Sequence, residues 1–239
     1  MTDHPSTDAQ RWESYWSEVT REKIRVVWDA PADEGVAFDW PNIEAHADRS
    51  RPIVHLGCGH GRQTAFFGDH FPRVVGVDLS PTAIERARAH SAHPRVEYRV
   101  LDAVDPDAIA ALHEELGDVN VYVRGVMHQL ADELQGPFLA AALRLIGASG
   151  TLSVLELRRG AEQIFFPLVK LGLLPFLRPV LDNGIVPRGI TPKRLRALLD
   201  PETHEVVSSV PTVLVRIALV GSRGFKVPAW HMSIRARSA

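Results

Sequence analysis

Three glycines alternate over five positions in His55-Leu56-Gly57-Cys58-Gly59-His60-Gly61, directly after a short apolar run, Pro52-Ile53-Val54-His55-Leu56. That run has the β-branched, continuous apolar character of a buried strand. A strand that ends in bare backbone and is followed by a helix leaves room for a ligand near the helix's positive end. Asp78 closes the next apolar run, Arg73-Val74-Val75-Gly76-Val77-Asp78, 21 positions after Gly57. In a doubly wound sheet both strand ends face one crevice, where an acid can accept the hydroxyls of a ribose. The pair predicts a nucleoside-bearing ligand.

The rest of the chain must then supply such a sheet. Val96–Leu101, Val119–Val123 and Thr151–Leu157 read as further strands. Helical segments are predicted between them: 62–70, 81–90 with Ser80 as N-cap, 105–116 with Asp105 as cap, and 137–146 opening at Pro137. Strands alternating with helices mean βαβ units and a parallel sheet. Residues 8–28 read as an amphipathic helix, and a polar connector and short helix fill 29–50. After Leu157 the alternation stops. Residues 158–189 are apolar and Pro-broken, Thr191-Pro192 caps a helix to Leu199, and Val206–Val210 and Val227–Ala236 read as two last strands. We therefore expect one α/β domain over 1–239, Rossmann-like and doubly wound. Its parts are an N-terminal helical cap (1–50), a ligand-binding core (51–157), a helical insertion (158–200) and the two last strands (201–239).

Composition excludes several classes. Lys plus Arg is 27 and Asp plus Glu is 29, a net charge of −2, so no basic face for nucleic acid is expected. The single cysteine, Cys58, cannot form an internal disulfide or a Cys-based zinc site, and the spacing of the 11 histidines suggests no metal site. The polar start, Met1-Thr2-Asp3-His4-Pro5, is not a secretory signal, and the apolar stretch Ile164–Leu177 is broken by Pro167, Lys170 and Pro175. A cytoplasmic protein without stable membrane insertion, monomer or homodimer, is the expectation.

The glycine spacing is not that of a dinucleotide loop, whose third glycine comes one residue later, and no Gly-Lys-Ser/Thr follows as in a Walker loop. The blocks Val54–Gly61, Val75–Ser80 with Ala83–Ala87, Leu101-Asp102-Ala103, Asp118–Leu130 and Leu145–Leu157 together resemble class I S-adenosylmethionine-dependent methyltransferases of the small-molecule type. The resemblance implies a seven-stranded, mostly parallel sheet binding S-adenosyl-L-methionine at its carboxyl edge. It places Gly57, Gly59 and Gly61 along the methionine part, with His55 and Cys58 in the same loop. Asp78 would hold the ribose, Leu79 would pack on the adenine, and Asp102 with Ala103 would meet the adenine edge. Arg124 would lie near the amino-acid end through its backbone. The family usually carries an acid at the position of His55 and a small hydroxyl residue at that of His60.

Outside the loop the readings stay open. Trp12, Tyr15 and Trp16 are either the buried stripe of a helix or, for Trp12 and Trp16, an aromatic lid over a sulfonium. Phe165, Phe166, Leu168, Leu171, Leu174 and Phe176 are plain core, an apolar acceptor pocket or an interfacial helix. His128, just past the fourth strand, is either a general base for a hydroxyl acceptor or a residue packing under the cofactor. Arg158 and Arg159 bind an acidic group or are solvated. The expected function is methyl transfer to a small, apolar or aromatic metabolite, O-methylation slightly favoured. The alternatives are a non-methylating, cofactor-binding or regulatory member and a nucleotide-dependent oxidoreductase.

Overall fold

The computed structural model describes residues 4–22, 26, 35–158, 160, 163, 167, 169–170, 172, 174, 177–185, 190–217 and 225–237. Seven strands form one sheet: β1 Ile53–Leu56, β2 Val74–Asp78, β3 Val96–Val100, β4 Asn120–Arg124, β5 Thr151–Leu157, β6 His204–Ile217 and β7 Phe225–Ala236. Their order is β3-β2-β1-β4-β5-β7-β6. The first five are parallel, whereas β7 runs antiparallel to both β5 and β6. The order reverses between β1 and β4, so the crevice of a doubly wound sheet opens above their carboxyl ends.

Strand alternation sorts the side chains onto two faces. Val54, Leu56, Val75, Val77, Val121 and Val123 pack with helices α5 (Pro106–Leu116) and α6 (Asp132–Ile146). The alternate positions Ile53, Val74 and Tyr122 pack with Phe67 and Phe71 from α3 (Arg62–Phe67) and the turn after it. His55 and Arg124 have the same parity as Ile53 and Tyr122, which puts two polar side chains on a buried face. Tyr98 from β3 packs on Ile84 and Ala87 of α4 (Pro81–His90). The caps form as the sequence predicts: Ser80 Oγ accepts from Ala83 N at 3.1 Å and Asp105 Oδ1 from Asp107 N at 2.9 Å. Thr191 likewise caps the helix Pro192–Leu198.

Three boundaries depart from expectation. Helix α6 begins at Asp132, five residues before Pro137. The acidic first turn, Asp132-Glu133, suits the helix dipole, and the solvent-exposed Pro137 forfeits one backbone bond without breaking the helix. The N-terminal helix α1 runs His4–Arg21 and not 8–28, and the short α2 (Trp40–Glu44) precedes β1. Strand β6 is 14 residues long and continues through Pro211. As the edge strand it can leave that missing donor on the solvent side.

Candidate functional site

The loop after β1 is tied to the end of β2 by backbone bonds from Gly57 N and Cys58 N to Val77 O, at 2.8 and 2.9 Å. Gly57, Gly59 and Gly61 all have positive φ, 72°, 54° and 80°. A Cβ at Gly57 would meet Val126 Cγ2 at 2.5 Å, and one at Gly59 would meet the Trp16 ring at 2.9 Å. Glycine is thus required twice over, by the left-handed backbone and by side chains laid against it. Asp78 locks the turn: Oδ2 accepts from Gly59 N at 2.8 Å and Oδ1 from Ser80 N at 3.0 Å. Burial raises its carboxyl above the usual carboxylate range, although these two donors oppose the shift. Each oxygen keeps a lone pair for another donor.

Helix α1 reaches this corner through Glu13. Its Oε2 accepts from Ser80 Oγ at 2.6 Å and Thr82 N at 3.2 Å, and its Oε1 accepts from Thr82 Oγ1. The helix therefore docks on the first turn of α4, beside Asp78. Tyr15, Trp16 and Val19 are fully buried with Ala83, Val180 and Ile185, which is core packing. Trp12 and Trp16 also line the cleft. The Trp16 ring lies 5.7 Å from that of His60.

One continuous cleft brings together nearly all the residues expected at the site. Trp12, Trp16, His55, Gly57, Cys58, Gly59, Asp78, Leu79, Asp102, Ala103, Arg124 and His128 line it. Gly61 does not. It caps α3 with its φ of 80°, and the Tyr98 ring sits where its Cβ would be. Cys58 is buried, and burial pushes its thiol well above the usual range, as for a packing residue rather than a thiolate nucleophile. The cleft is also lined by the apolar side chains of Leu134, Phe138, Leu157, Leu177, Val180 and Leu214. Phe165, Phe166, Leu168, Leu171, Phe176 and Arg159 lie outside the described residues; Leu174 is buried and Arg158 exposed.

Under the cleft lies a polar layer that the sequence reading did not assemble. His55 Nδ1 is 2.8 Å from Thr64 Oγ1, and its Nε2 has no partner. Burial, aided by the Arg124 charge, lowers the imidazole to about 3, so the ring is neutral at physiological pH. Its folded value lies below the ordinary 6.5, so the unfolded chain binds the proton better. This group's contribution to stability is complete above 6.5 and falls as pH drops toward 3. In His55→Gln the stability gap to the wild type should narrow by about 1.4 kcal/mol per pH unit below pH 6. Urea denaturation from pH 7.5 to 4.5 measures it, and a gap constant with pH would mean the ring is hydrated. Taking the difference removes the opposite trend of Asp39, whose carboxyl burial raises to about 7 despite Arg124, Thr212 and Tyr122.

Glu156 is the second omission. It is fully buried on β5, and its carboxylate accepts from Val126 N, Met127 N and His128 N at 3.0, 2.8 and 3.2 Å. Oε2 also lies 2.5 Å from His128 Nδ1. One buried acid thus shapes the turn after β4 and fixes the imidazole. A carboxylate in the otherwise uncharged strand Thr151–Leu157 was the available signal.

A doubly wound sheet with a glycine turn, an acid after β2 and a cleft at the switch point defines a nucleoside-cofactor-binding protein. A methyltransferase-domain family model matches residues 53–150. A crystal structure of a SAM-dependent methyltransferase from Anabaena variabilis superposes with a TM-score of 0.87 at 30% identity. That match covers 96% of this chain and 95% of that one. Two curated relatives match over shorter stretches. A trans-aconitate 2-methyltransferase of Methylobacterium radiotolerans is 32% identical over 44% of this chain, and an N-demethylindolmycin N-methyltransferase of Streptomyces griseus is 29% identical over 37%. Those matches span 37% and 38% of the relatives' own lengths. The chain belongs to the S-adenosylmethionine-dependent methyltransferase family.

Proposed function

We propose that this chain transfers the methyl group of S-adenosylmethionine to a small, largely apolar metabolite, with a hydroxyl as the favoured acceptor. The observation that carries the reading is the His128–Glu156 pair, whose imidazole lines the same cleft as the glycine loop and Asp78. The cleft also has apolar lining from Leu134, Phe138, Leu157 and Leu214. The names of the two curated relatives support a small-molecule acceptor.

The residues fit the cofactor. Asp78 keeps acceptor capacity for ribose hydroxyls, and the bare backbone at Gly57 and Gly59 borders the cleft. Unpartnered His55 Nε2 and Arg124 Nε lie at its floor. Bound there, S-adenosylmethionine supplies an electrophilic methyl on a sulfonium, to be taken in line by the acceptor. The chain's part is positioning and exclusion of water. Trp12 and Trp16 offer aromatic faces to a cation. Glu156 accepts from His128 Nδ1, which leaves Nε2 unprotonated as the base for a hydroxyl proton. No described helix is long and apolar enough to cross a membrane.

Thermal shift with S-adenosylmethionine, S-adenosylhomocysteine and NADH, followed by label transfer to panels of apolar alcohols, amines and thiols, tests the reading. Both adenosyl ligands should raise the midpoint and NADH should not. Stabilisation by NADH alone would overturn it; adenosyl binding without turnover on any panel would favour a binding or regulatory role.

A further inference from the structure

Strand β6 carries one residue too many for its partner near its carboxyl end. Val213 pairs with Pro228 and Arg216 with Lys226, so three steps along β6 match two along β7. Such a bulge bends the strand and re-aims a side chain, and bulges collect beside active sites. Here the side chain is Leu214. Of residues 204–214 on β6 it alone is buried, at 8% exposure. Polar contacts hold this stretch at two points. Thr212 Oγ1 donates to Asp39 Oδ1 at 3.0 Å, and Leu214 O accepts from Arg124 Nη2. Leu214, Gly125 and His128 all line the cleft.

Gly125 gives the spacing. A Cβ built on it would lie 3.5 Å from His128 Cε1 and 3.9 Å from Leu214 Cδ1, both ordinary van der Waals separations. Apart from its chain neighbours, no other described residue comes within 4 Å of that point. A carbon there touches both groups, so the imidazole and the isobutyl group border one small space. Cε1 is bonded to Nε2, the ring nitrogen other than the one Glu156 holds. A hydroxyl within hydrogen-bond reach of Nε2 brings its neighbouring carbons to this space.

We propose that Leu214 is a specificity-determining residue for the acceptor: its side chain bounds the space beside the His128 ring, so the chain takes hydroxyls with unsubstituted neighbouring carbons and rejects those branched beside the hydroxyl. This rests on the methyltransferase reading with a hydroxyl acceptor, and it narrows the acceptor class.

Graded phenols test it: phenol, 2-methylphenol, 2-isopropylphenol and 2-tert-butylphenol, offered to wild type, Leu214→Ala and Leu214→Phe. Label transfer from S-adenosylmethionine gives kcat/KM, and isothermal titration with S-adenosylhomocysteine present gives Kd. A misfit of one methylene in an apolar pocket costs about ten- to 200-fold. The kcat/KM ratio of 2-isopropylphenol to phenol should therefore rise at least tenfold in Leu214→Ala and fall in Leu214→Phe. S-adenosylhomocysteine affinity should stay within about threefold of wild type. One ratio shared by all three proteins, or an equal loss for every phenol in a folded variant, would overturn the proposal. Should Leu214→Ala fail to fold, wild type still decides: 2-tert-butylphenol accepted no worse than phenol is incompatible with it. No phenol bound or methylated by any of the three would also overturn it. Graded binding without label transfer would keep the role of Leu214 and remove methyl transfer. If S-adenosylhomocysteine does not bind, the cofactor reading falls, and phenol titration of the protein alone tests Leu214 separately.

Discussion

His128→Gln is expected to lower turnover of a hydroxyl acceptor by ~10²–10⁴ while S-adenosylhomocysteine affinity changes less than about threefold. The expectation comes from the way the ring is held. His128 is 2% exposed, its Nδ1 is 2.5 Å from Glu156 Oε2, and Glu156 has no access to solvent. A buried carboxylate on one ring nitrogen fixes the tautomer, stabilises the imidazolium formed when the other takes a proton, and prevents the ring from turning. On the proposed reading Glu156 is a positioning residue, acting through His128. Glu156→Gln offers a donor where Nδ1–H needs an acceptor, so it should lower turnover comparably and shift the pH–rate profile, with S-adenosylhomocysteine affinity kept. A merely structural Glu156 would instead lower the melting temperature and leave the pH profile in place. Loss of affinity in His128→Gln with turnover recovering at saturation would assign the histidine to packing under the cofactor. An unaffected rate would mean an acceptor that attacks without a base, such as a thiol.

What the sequence made legible follows from how local each feature is. The glycine turn, Asp78 and the caps at Ser80, Asp105 and Thr191 are set within a few residues, so pattern alone located them. The buried strands β1, β2 and β4 carry continuous apolar runs, and the sheet followed from them. The polar layer under the cleft is another matter. Glu156 and His128 are 28 positions apart, Arg124 and Leu214 are 90, and Asp39 and Thr212 are 173. Only the sheet order, with β4 beside β5 and β6 folded back over Arg124, makes them neighbours. The early start of α6 was missed because Pro137 looked like a first helical residue, although the acids five positions earlier were the better signal. For Trp16 the structure shows the buried stripe. The residue is 2% exposed in a packed cluster, and its ring also lies where a Cβ on Gly59 would sit.

Asp78 holds Gly59 N where Glu13 of α1 holds Ser80; on the proposed reading the ribose binds there too, and Asp78→Ala is the second large effect. The substitution removes the acceptor for Gly59 N at 2.8 Å and for Ser80 N at 3.0 Å, and with them the acceptor for ribose hydroxyls. Each charge-assisted bond lost is worth roughly 1.5–3 kcal/mol. S-adenosylhomocysteine affinity should therefore fall at least a hundredfold, and the melting temperature should also drop because two buried N–H groups lose their partner. Asp78→Asn separates the two parts. Its amide oxygen can still accept from Gly59 N, but its NH2 then faces Ser80 N–H, so only part of the stability should return, and the neutral group binds ribose hydroxyls more weakly, leaving affinity tenfold or more below wild type. Calorimetric melting alongside titration with S-adenosylhomocysteine and free adenosine reads both parts. Both ligands carry the ribose, so both should weaken together. An Asp78→Asn variant that binds them like wild type would reduce the carboxylate to a loop clamp and place the ribose against some other acceptor in the cleft.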